Sequence, residues 1–346
     1  MWLLNNDTPF AAERTWVRDC EGAEVWVVAV KGSFIVGRDG IQTLDPVPRE
    51  IRRVPIFRGA PEASSLVGEC DLVHRKSMTD VLVEGDAVCP RGRLATKLDV
   101  RLRVASIDKT LRAHGERTCD PGVLGLRLGA PSAFARLPIS YEFAFGGTGA
   151  RTWEARNPVG RGFAEARSDL AGRLAPNVED ARFPFEDHDT GRPVGFGPIA
   201  RHWAPRVALA GTYDDSWEAS RKPLLPENFD DRFYQCAPED QRVGGFLKGG
   251  EGVEVSGMSE DGPLSFRLPR VPLVMTTSFY DGSSVEHRPV IHTLTIHPEE
   301  RRFELVWHSH LPCHHKVQKL KVTRIVTKRR VNVPRADVDS GMWMPA

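Results

Sequence analysis

The sequence lacks any pair of cysteines at the C-x-x-C spacing of metal or redox sites. Six cysteines are scattered along the 346 residues, namely Cys20, Cys70, Cys89, Cys119, Cys236 and Cys313. Disulfide frameworks are typical of small secreted chains, and this chain is not small. We therefore expect reduced thiols and a cytoplasmic protein.

Long apolar runs are also absent. The first ten residues, MWLLNNDTPF, contain no basic residue and only a four-residue apolar start, so they do not resemble a signal peptide. The longest apolar run, Val25–Val30, is far shorter than the roughly 20 residues of a membrane-spanning helix. We expect no membrane partner.

Neither sign of charge is in excess. Lysine plus arginine number 47 against 46 aspartate plus glutamate, which gives a net charge of +1 and no reason to expect a global nucleic-acid or membrane role. One local stretch, His314–Arg330, carries seven basic residues and no acidic residue. We interpret it first as a solvated edge strand, second as a surface for an acidic protein, and last as a nucleic-acid surface, because stacking aromatics are missing.

Complete catalytic motifs are missing as well. A G-x-S-x-G nucleophile elbow, a Walker loop, H-E-x-x-H and a G-x-G-x-x-G unit do not occur. An S-x-x-K match at Ser106–Lys109 falls in a predicted hairpin turn and has no S-D-N or K-T-G partner. Carboxylates at Glu186–Asp189 and Asp214–Asp215 could serve hydrolysis or a hard cation, but turns use the same residues. We expect no enzyme activity and no cofactor.

The patterns that are present predict a mostly β fold. Leu98, Val100, Leu102 and Val104 alternate with polar residues, which indicates a half-buried strand followed by a turn at Ser106–Lys109. Ala23–Val36 predicts a strand with a bulge or bend at Gly32. His292–Ile296 and Arg302–His308 predict a hairpin. We therefore expect antiparallel sandwich-like or barrel-like sheets with few short helices.

The central part of the chain differs in composition. Phe145–Pro205 contains nine glycines and six prolines in 61 residues, about twice the usual share of roughly 12%. Short helices are predicted at Ala164–Leu174 and Ala237–Gly245. We divide the chain into a β region 1–140, a loop layer rich in glycine, proline and aromatic residues at 141–245, a second β region 246–330 and a loose tail 331–346, together forming one integrated domain.

Aromatic residues of the loop layer are candidates for partner binding. They are numerous enough to predict an ordered segment, since disordered segments contain few aromatics. Tryptophan and tyrosine are enriched in interface hot spots, although aromatics also supply most of the packing in loop-rich regions. The candidates are Trp153, Trp203, Tyr213, Trp217 and Phe229.

A histidine-rich segment near the C-terminus is a weak metal candidate. If His308 lies on a strand, His310 points to the same face, and Cys313 could be a third zinc ligand. His314 and His315 follow directly. Because no second cluster at ligand spacing occurs elsewhere, we favour surface and turn histidines over a metal site.

Long ordered motifs give the chain a family resemblance. They include the following strings: SSLVGECDLVHRKSMTDVLVEGDAVCPRG from Ser64, FGGTG from Phe145, NPVGRGF from Asn157, GFGPIARHWAPR from Gly195, GTYDDSW from Gly211 and LLPENFDDRFYQCAPEDQ from Leu224. Over Thr8–Val326 the chain resembles the bacterial domain-of-unknown-function family twenty-one sixty-nine. The histidine-rich end is a departure, since the family has more arginine and lysine there.

The resemblance implies a role in type VI secretion. Members of the family are regarded as adaptors or chaperones that load a toxic effector onto a VgrG-type or PAAR-type spike protein. The resemblance implies no catalytic residues. We therefore expect an effector adaptor, with a metal-dependent or carboxylate-dependent hydrolase and a carbohydrate-binding β module as the alternatives.

Overall fold

The computed structural model describes residues 2–122, 125–313 and 316–328. Within these ranges, 23 strands dominate and the predicted mostly β class is confirmed. The strands are β1 (Leu3–Asn6), β2 (Ala11–Arg18), β3 (Glu24–Val36), β4 (Gln42–Leu44), β5 (Ile56–Phe57), β6 (Leu66–Gly68), β7 (Asp80–Val83), β8 (Asp86–Val88), β9 (Lys97–Val104), β10 (Ile107–His114), β11 (Cys119–Gly122), β12 (Gly125–Leu128), β13 (Arg136–Pro138), β14 (Phe145–Gly146), β15 (Arg161–Gly162), β16 (Val178–Asp180), β17 (Gly252–Ser256), β18 (Leu264–Arg267), β19 (Leu273–Phe279), β20 (Ser284–His287), β21 (Val290–His297), β22 (Arg302–Pro312) and β23 (Leu320–Thr327).

Helices are short and few. In the described part of the chain one α-helix forms, α1 (Asp215–Ser220), and the other helical turns are of the 3-10 type. They span Pro90–Gly92, Tyr141–Phe143, Arg167–Leu170, Arg206–Leu209, Asp231–Tyr234, Glu239–Gln241 and Val317–Lys319. The two predicted helices are thus reduced to single 3-10 turns within Ala164–Leu174 and Ala237–Gly245. The predicted tail 331–346 lies outside the described residues.

Three larger sheets organise the fold. Their strand orders are β2-β3-β22-β21-β7 with β4 added to β3, then β16-β10-β9-β17-β18, and finally β1-β23-β19-β20. Each sheet combines strands from the first 140 residues with strands that follow residue 246. Most neighbours are antiparallel, whereas β1 with β23 and β7 with β21 are parallel. Four two-stranded ladders complete the structure.

The hairpin of β9 and β10 follows the predicted alternation. Val100, Leu102 and Val104 are buried, and the residues between them are exposed on the outer face. The turn is shorter than predicted, because Ile107 already pairs with Val104 and only Ala105 and Ser106 connect the strands. Burial of the Ile107 side chain in the core explains why β10 begins so early.

β3 is the central strand, and it pairs with β22 along its length without a register shift. The predicted bulge at Gly32 is therefore wrong. A Cβ atom at Gly32 would lie 2.8 Å from the Phe34 ring and 3.0 Å from both Phe10 and Trp307. The glycine is required by close aromatic packing across the strand, not by an irregular backbone.

Two sequence motifs of the loop layer meet at Gly146 and Asn157. The Asn157 side-chain amide donates hydrogen bonds of 2.8 Å to the carbonyls of Tyr141 and Phe145. Gly146 has a φ of 152°, and a Cβ atom there would lie 2.1 Å from the Asn157 carbonyl oxygen. These contacts order a segment that is poor in regular secondary structure.

The main core lies between the three larger sheets. Trp26, Val28 and Val30 of β3 join Leu305 and Trp307 of β22 in one apolar cluster with residues of the other two sheets. Because side chains alternate along a strand, the intervening residues of β3 and β22 point to the opposite face of the sheet. None of the described helices has the length and apolar character needed to cross a membrane.

Candidate functional site

The opposite face of the six-stranded sheet is buried yet polar. Side chains of directly paired residues lie on the same face, and the register places Thr293 beside Asp80, and Glu304 beside both Ser33 and Thr295. We call this the polar face; it consists of Lys31, Ser33, Asp80, Thr293, Thr295, Glu304 and His308. Buried polar groups must be hydrogen-bonded or paired to be tolerated. The segments that cover the polar face supply those partners.

The segment that follows β4 covers one half of the polar face, and Lys31 binds this segment. The Lys31 ammonium lies 2.5 Å from the Asp71 carboxylate and 3.6 Å from Glu304, and it donates a hydrogen bond to the Glu50 carbonyl. The Lys31 and Glu304 side chains are fully buried. A buried ion pair of this kind holds the covering segment in one position, since an unpaired charge there is strongly unfavourable.

Glu304 is the acidic centre of this half. Its carboxylate accepts a 2.9 Å hydrogen bond from Arg49 and lies 3.1 Å from His297 Nε2. Burial by itself would raise the pKa of Glu304, but the hydrogen bond with His297 and the charges of Arg52 and Lys31 outweigh burial and lower the pKa to about 2. Glu304 therefore stays ionised at neutral pH.

Residues of the motifs that begin at Ser64 and at Leu224 cover the other half of the polar face, and the two motifs meet at Asp80. Asp80 accepts hydrogen bonds from Lys76 Nζ at 2.7 Å, from the Gln235 side-chain amide at 2.7 Å and from the Cys236 backbone amide at 2.8 Å. Lys76 Nζ also donates to Thr293 Oγ1 at 3.0 Å. Asp80 thus joins the chain before β7 to the segment around residue 235.

Lys76 and Asp80 form an ion pair that the protein encloses. Burial would raise the pKa of Asp80, but the charge of Lys76 and the hydrogen bonds from Lys76 and Cys236 together outweigh burial and lower that pKa. Burial would lower the pKa of Lys76, but the charge of Asp80 and the hydrogen bond to it, together with smaller contributions from nearby groups, outweigh burial and raise that pKa. Burial raises the pKa of Cys236 to about 12, so this thiol remains protonated. A neutral thiol is a poor nucleophile.

Two histidines stack beside the cluster. The rings of His292 and His308 are parallel, with centroids 3.9 Å apart. The Lys76 amide donates to His292 Nε2, and His308 Nε2 donates to the Val73 carbonyl at 2.8 Å. Burial lowers the pKa of both imidazoles, that of His308 to about 3. Both rings are therefore neutral at physiological pH.

Further buried contacts fix the loop layer to the sheets. Lys109 Nζ donates to the Gly195 carbonyl, the Asp240 carboxylate and the Gln241 amide oxygen at 2.8–2.9 Å. The Arg206 guanidinium, also buried, donates to Glu69 at 2.9 Å. The charged residues of the sequence motifs, for which the sequence suggests no function, thus mainly bind other residues inside the protein. In the sequence, such a buried charge is indicated by a lysine within an otherwise apolar strand, as at Lys31.

The five aromatic candidates do not share one environment. Trp153 is 61% exposed and Tyr213 is 54% exposed, whereas Trp217 and Phe229 are half-buried. Trp203 is only 1% exposed and packs edge-on against Tyr141, with centroids 5.5 Å apart. Because it is enclosed by the protein, Trp203 packs the interior and presents no surface to a partner. Tyr213 and Trp217 lie together, with ring centroids 4.7 Å apart.

Within the described residues, the ligand atoms of His308, His310 and Cys313 do not all lie within 4.8 Å of one another. His308 points to the polar face, His310 is exposed and stands 6.2 Å from the His74 ring, and Cys313 donates a hydrogen bond to the Leu311 carbonyl. In the described ranges, one trio places its ligand atoms within 4.8 Å of one another, and it is the partly exposed Asp187, His188 and Asp189. Arg167 forms an ion pair with Asp187 at 2.6 Å. His314 and His315 lie outside the described residues.

The S-x-x-K match does not form a catalytic pair. Ser106 lies exposed in the hairpin turn, and Lys109 is buried on β10 with its ammonium bound by Gly195, Asp240 and Gln241. A cavity of about 20 Å³ lies between Ser65, Tyr141 and Thr295. That volume holds about one water molecule, which is too little for a substrate.

These features define a mostly β protein whose central sheet has one apolar and one polar face, both buried. The profile of the family described as "Uncharacterized protein conserved in bacteria (DUF2169)" matches residues 21–308, and the chain belongs to this family. The family resemblance of the sequence is thereby confirmed. No curated protein and no solved structure matches the chain.

Proposed function

We propose that this protein is a non-enzymatic adaptor, or chaperone, that binds a type VI secretion effector and helps to load it onto a VgrG-type or PAAR-type spike protein. The resemblance of the sequence motifs to the family implies this role. Among the described residues, the trio that could ligate a metal for a hydrolase, Asp187, His188 and Asp189, is partly exposed, and Asp187 is already paired with Arg167. The proposed site of action is cytoplasmic, before the effector is exported.

The observation that carries the proposal is an exposed set of aromatic side chains on a firmly held loop layer. Trp153 and Tyr213 are exposed on that layer, which is fixed by the buried contacts of Lys76, Lys109 and Arg206. Exposed tryptophan and tyrosine are the side chains most enriched in protein-interface hot spots. A surface that is already ordered also avoids much of the entropy cost of binding.

The buried polar groups support binding over catalysis. Asp80, Lys76 and Cys236 contact one another and are covered by protein on all sides. Glu304 and Lys31 are likewise enclosed. These are the side-chain types that would serve as nucleophile, acid or base, yet here they neutralise each other within the fold.

Co-purification with the effector encoded beside the gene tests the proposal. We expect the tagged protein to retain that effector, and the variants Trp153→Ala and Tyr213→Ala to retain less while unfolding at the wild-type temperature. Tyr280→Ala is a matched control, because Tyr280 is 61% exposed but lies outside the loop layer, after β19. Failure of the wild-type protein to retain the effector would contradict the adaptor role.

A further inference from the structure

The surface around Tyr213 combines an aromatic pair, the exposed Tyr213 and the half-buried Trp217, with carboxylates. The rings of Tyr213 and Trp217 meet edge to face with centroids 4.7 Å apart. Asp214 and Asp215 follow Tyr213 directly in the chain, and both are exposed. The exposed Glu227 precedes Asn228, whose side chain exchanges 3.0 Å hydrogen bonds with Thr212, so the backbone near Glu227 lies close to this segment. We call Tyr213, Asp214, Asp215, Trp217 and Glu227 the aromatic-acidic surface.

This surface is held in place by local hydrogen bonds. Asp214 Oδ1 accepts from the Trp217 amide at 2.9 Å and so caps α1. Trp217 Nε1 donates to the Leu224 carbonyl at 2.8 Å, which fixes the indole. The Leu224 side chain packs against Gly22, so the whole segment is seated on the turn between β2 and β3. The aromatic pair is therefore preorganised.

The negative charge of the aromatic-acidic surface is largely not neutralised by basic side chains. Among the described residues, Asp214, Asp215 and Glu227 form no ion pair with a basic side chain, whereas the neighbouring Glu218 is paired with Lys222 at 2.7 Å. The outer face of β9 and β10 offers a contrast, because there Arg101 pairs with Asp108 and Arg112 pairs with Asp99. Carboxylates without a basic partner beside the exposed ring of Tyr213 favour a cationic binding partner.

We propose that the aromatic-acidic surface docks a lysine-bearing or arginine-bearing segment of a protein partner. A cationic side chain over the face of Tyr213 or Trp217 is attracted by the ring electrons. The carboxylates of Asp215 and Glu227 then supply the countercharge and steer the approach. This inference rests on the adaptor role, in which the cationic segment belongs to the effector.

A direct test uses two labelled peptides and the full-length protein. One peptide alternates lysine with leucine, and the other replaces each lysine with glutamate. We expect the wild-type protein to bind the lysine peptide in a salt-sensitive manner and to bind the glutamate peptide at least about fivefold more weakly, since one cation–π contact at an exposed site is worth roughly 0.5–1 kcal/mol and the repulsion between carboxylates adds to it. Equal binding of the two peptides would overturn the proposal.

Matched variants locate the binding. Tyr213→Ala should weaken lysine-peptide binding about threefold to fivefold through loss of the ring, and Glu227→Lys should weaken it by about as much through charge repulsion, whereas Tyr213→Phe retains the ring and should remain near wild type. Tyr280→Ala and Glu260→Lys are the controls, because both residues are exposed in turns outside the loop layer. Equal loss in the controls would contradict the assignment. A dimer that dissociates with Tyr213→Ala would overturn it in favour of self-association.

Co-purification of the effector distinguishes a failure of the docking proposal from a failure of the adaptor role. If the effector co-purifies equally with wild type, Tyr213→Ala and Glu227→Lys, the docking proposal fails and the adaptor role stands. If the wild-type protein retains no effector, the adaptor role fails. The peptide measurement then still decides whether the surface recognises cationic segments.

Discussion

The Lys76 ammonium lies 2.7 Å from the Asp80 carboxylate, and both side chains are almost completely buried between the loop layer and the central sheet. The pair is positioned by Thr293 on one side and by Gln235 and Cys236 on the other. Removal of one charge from such a pair leaves the other without compensation in a low-dielectric interior. The pair therefore ties the loop layer to the fold.

Asp80→Asn should lower the free energy of unfolding by about 3–5 kcal/mol, because it leaves the Lys76 charge buried and unpaired. Urea denaturation followed by tryptophan fluorescence measures the change. Asp108→Asn provides the comparison, since Asp108 forms an exposed pair with Arg101 and should affect stability little. Similar losses in the two variants would show that the buried pair has no special role.

Stability should fall as the pH is lowered from 7 to 5. Burial lowers the pKa of His308 to about 3, whereas a histidine in the unfolded chain titrates near 6.5. The unfolded state therefore binds a proton first, and stability is lost progressively below about pH 6.5. His308 alone should contribute about 2 kcal/mol of this loss by pH 5.

The variant His308→Gln tests the source of that loss, because glutamine can still donate to the Val73 carbonyl but does not titrate. We expect its stability to depend less on pH between 7 and 5 than that of wild type. The effect of Glu304 falls in another window, since its pKa is lowered to about 2 and its stabilisation is lost only below about pH 4.5. An unchanged slope between pH 7 and 5 would argue against His308.

Trp203→Ala and Trp153→Ala should behave in opposite ways. The buried Trp203 packs against Tyr141, so its truncation should cost about 3–5 kcal/mol of stability. Trp153 is exposed, and its truncation should change stability by no more than about 0.5 kcal/mol. Thermal unfolding of both variants provides the measurement, and equal melting temperatures would contradict the assigned burial.

Cys236 should resist alkylation in the folded protein. Its thiol is fully buried and burial raises its pKa to about 12, so little thiolate is present at pH 8. Cys20 is only partly buried and should react with iodoacetamide more than about a hundredfold faster, since Cys236 must wait for local or global opening. Peptide mapping by mass spectrometry distinguishes the two. Rapid labelling of Cys236 would mean that the loop layer opens readily.

Much of the strand content could be predicted from the sequence. The alternation in Leu98–Val104 and the hairpin of β21 and β22 are local patterns, and the structure confirms both. The parallel pairs of β1 with β23 and of β7 with β21 join residues far apart in the chain. No local pattern encodes such pairings, since they depend on packing of the complete chain.

The polar face could not be predicted for a different reason. β3 reads as a continuous apolar strand in which Lys31 looks like an interruption. Its partners Asp71 and Glu304 follow 40 and 273 residues later in the chain. The same limit applies to the site residues, because sequence alone identified Trp203 and Tyr213 as aromatics but could not show that one is buried and the other exposed.

Export of the effector in living cells is the most direct test of the adaptor role. We compare the amount of effector released by wild-type bacteria, by a strain lacking this gene, and by that strain carrying the wild-type or the Tyr213→Ala protein. We expect that release falls in the deletion strain, is restored by the wild-type protein and is restored less by Tyr213→Ala. Normal release of the effector from the deletion strain would contradict the adaptor role.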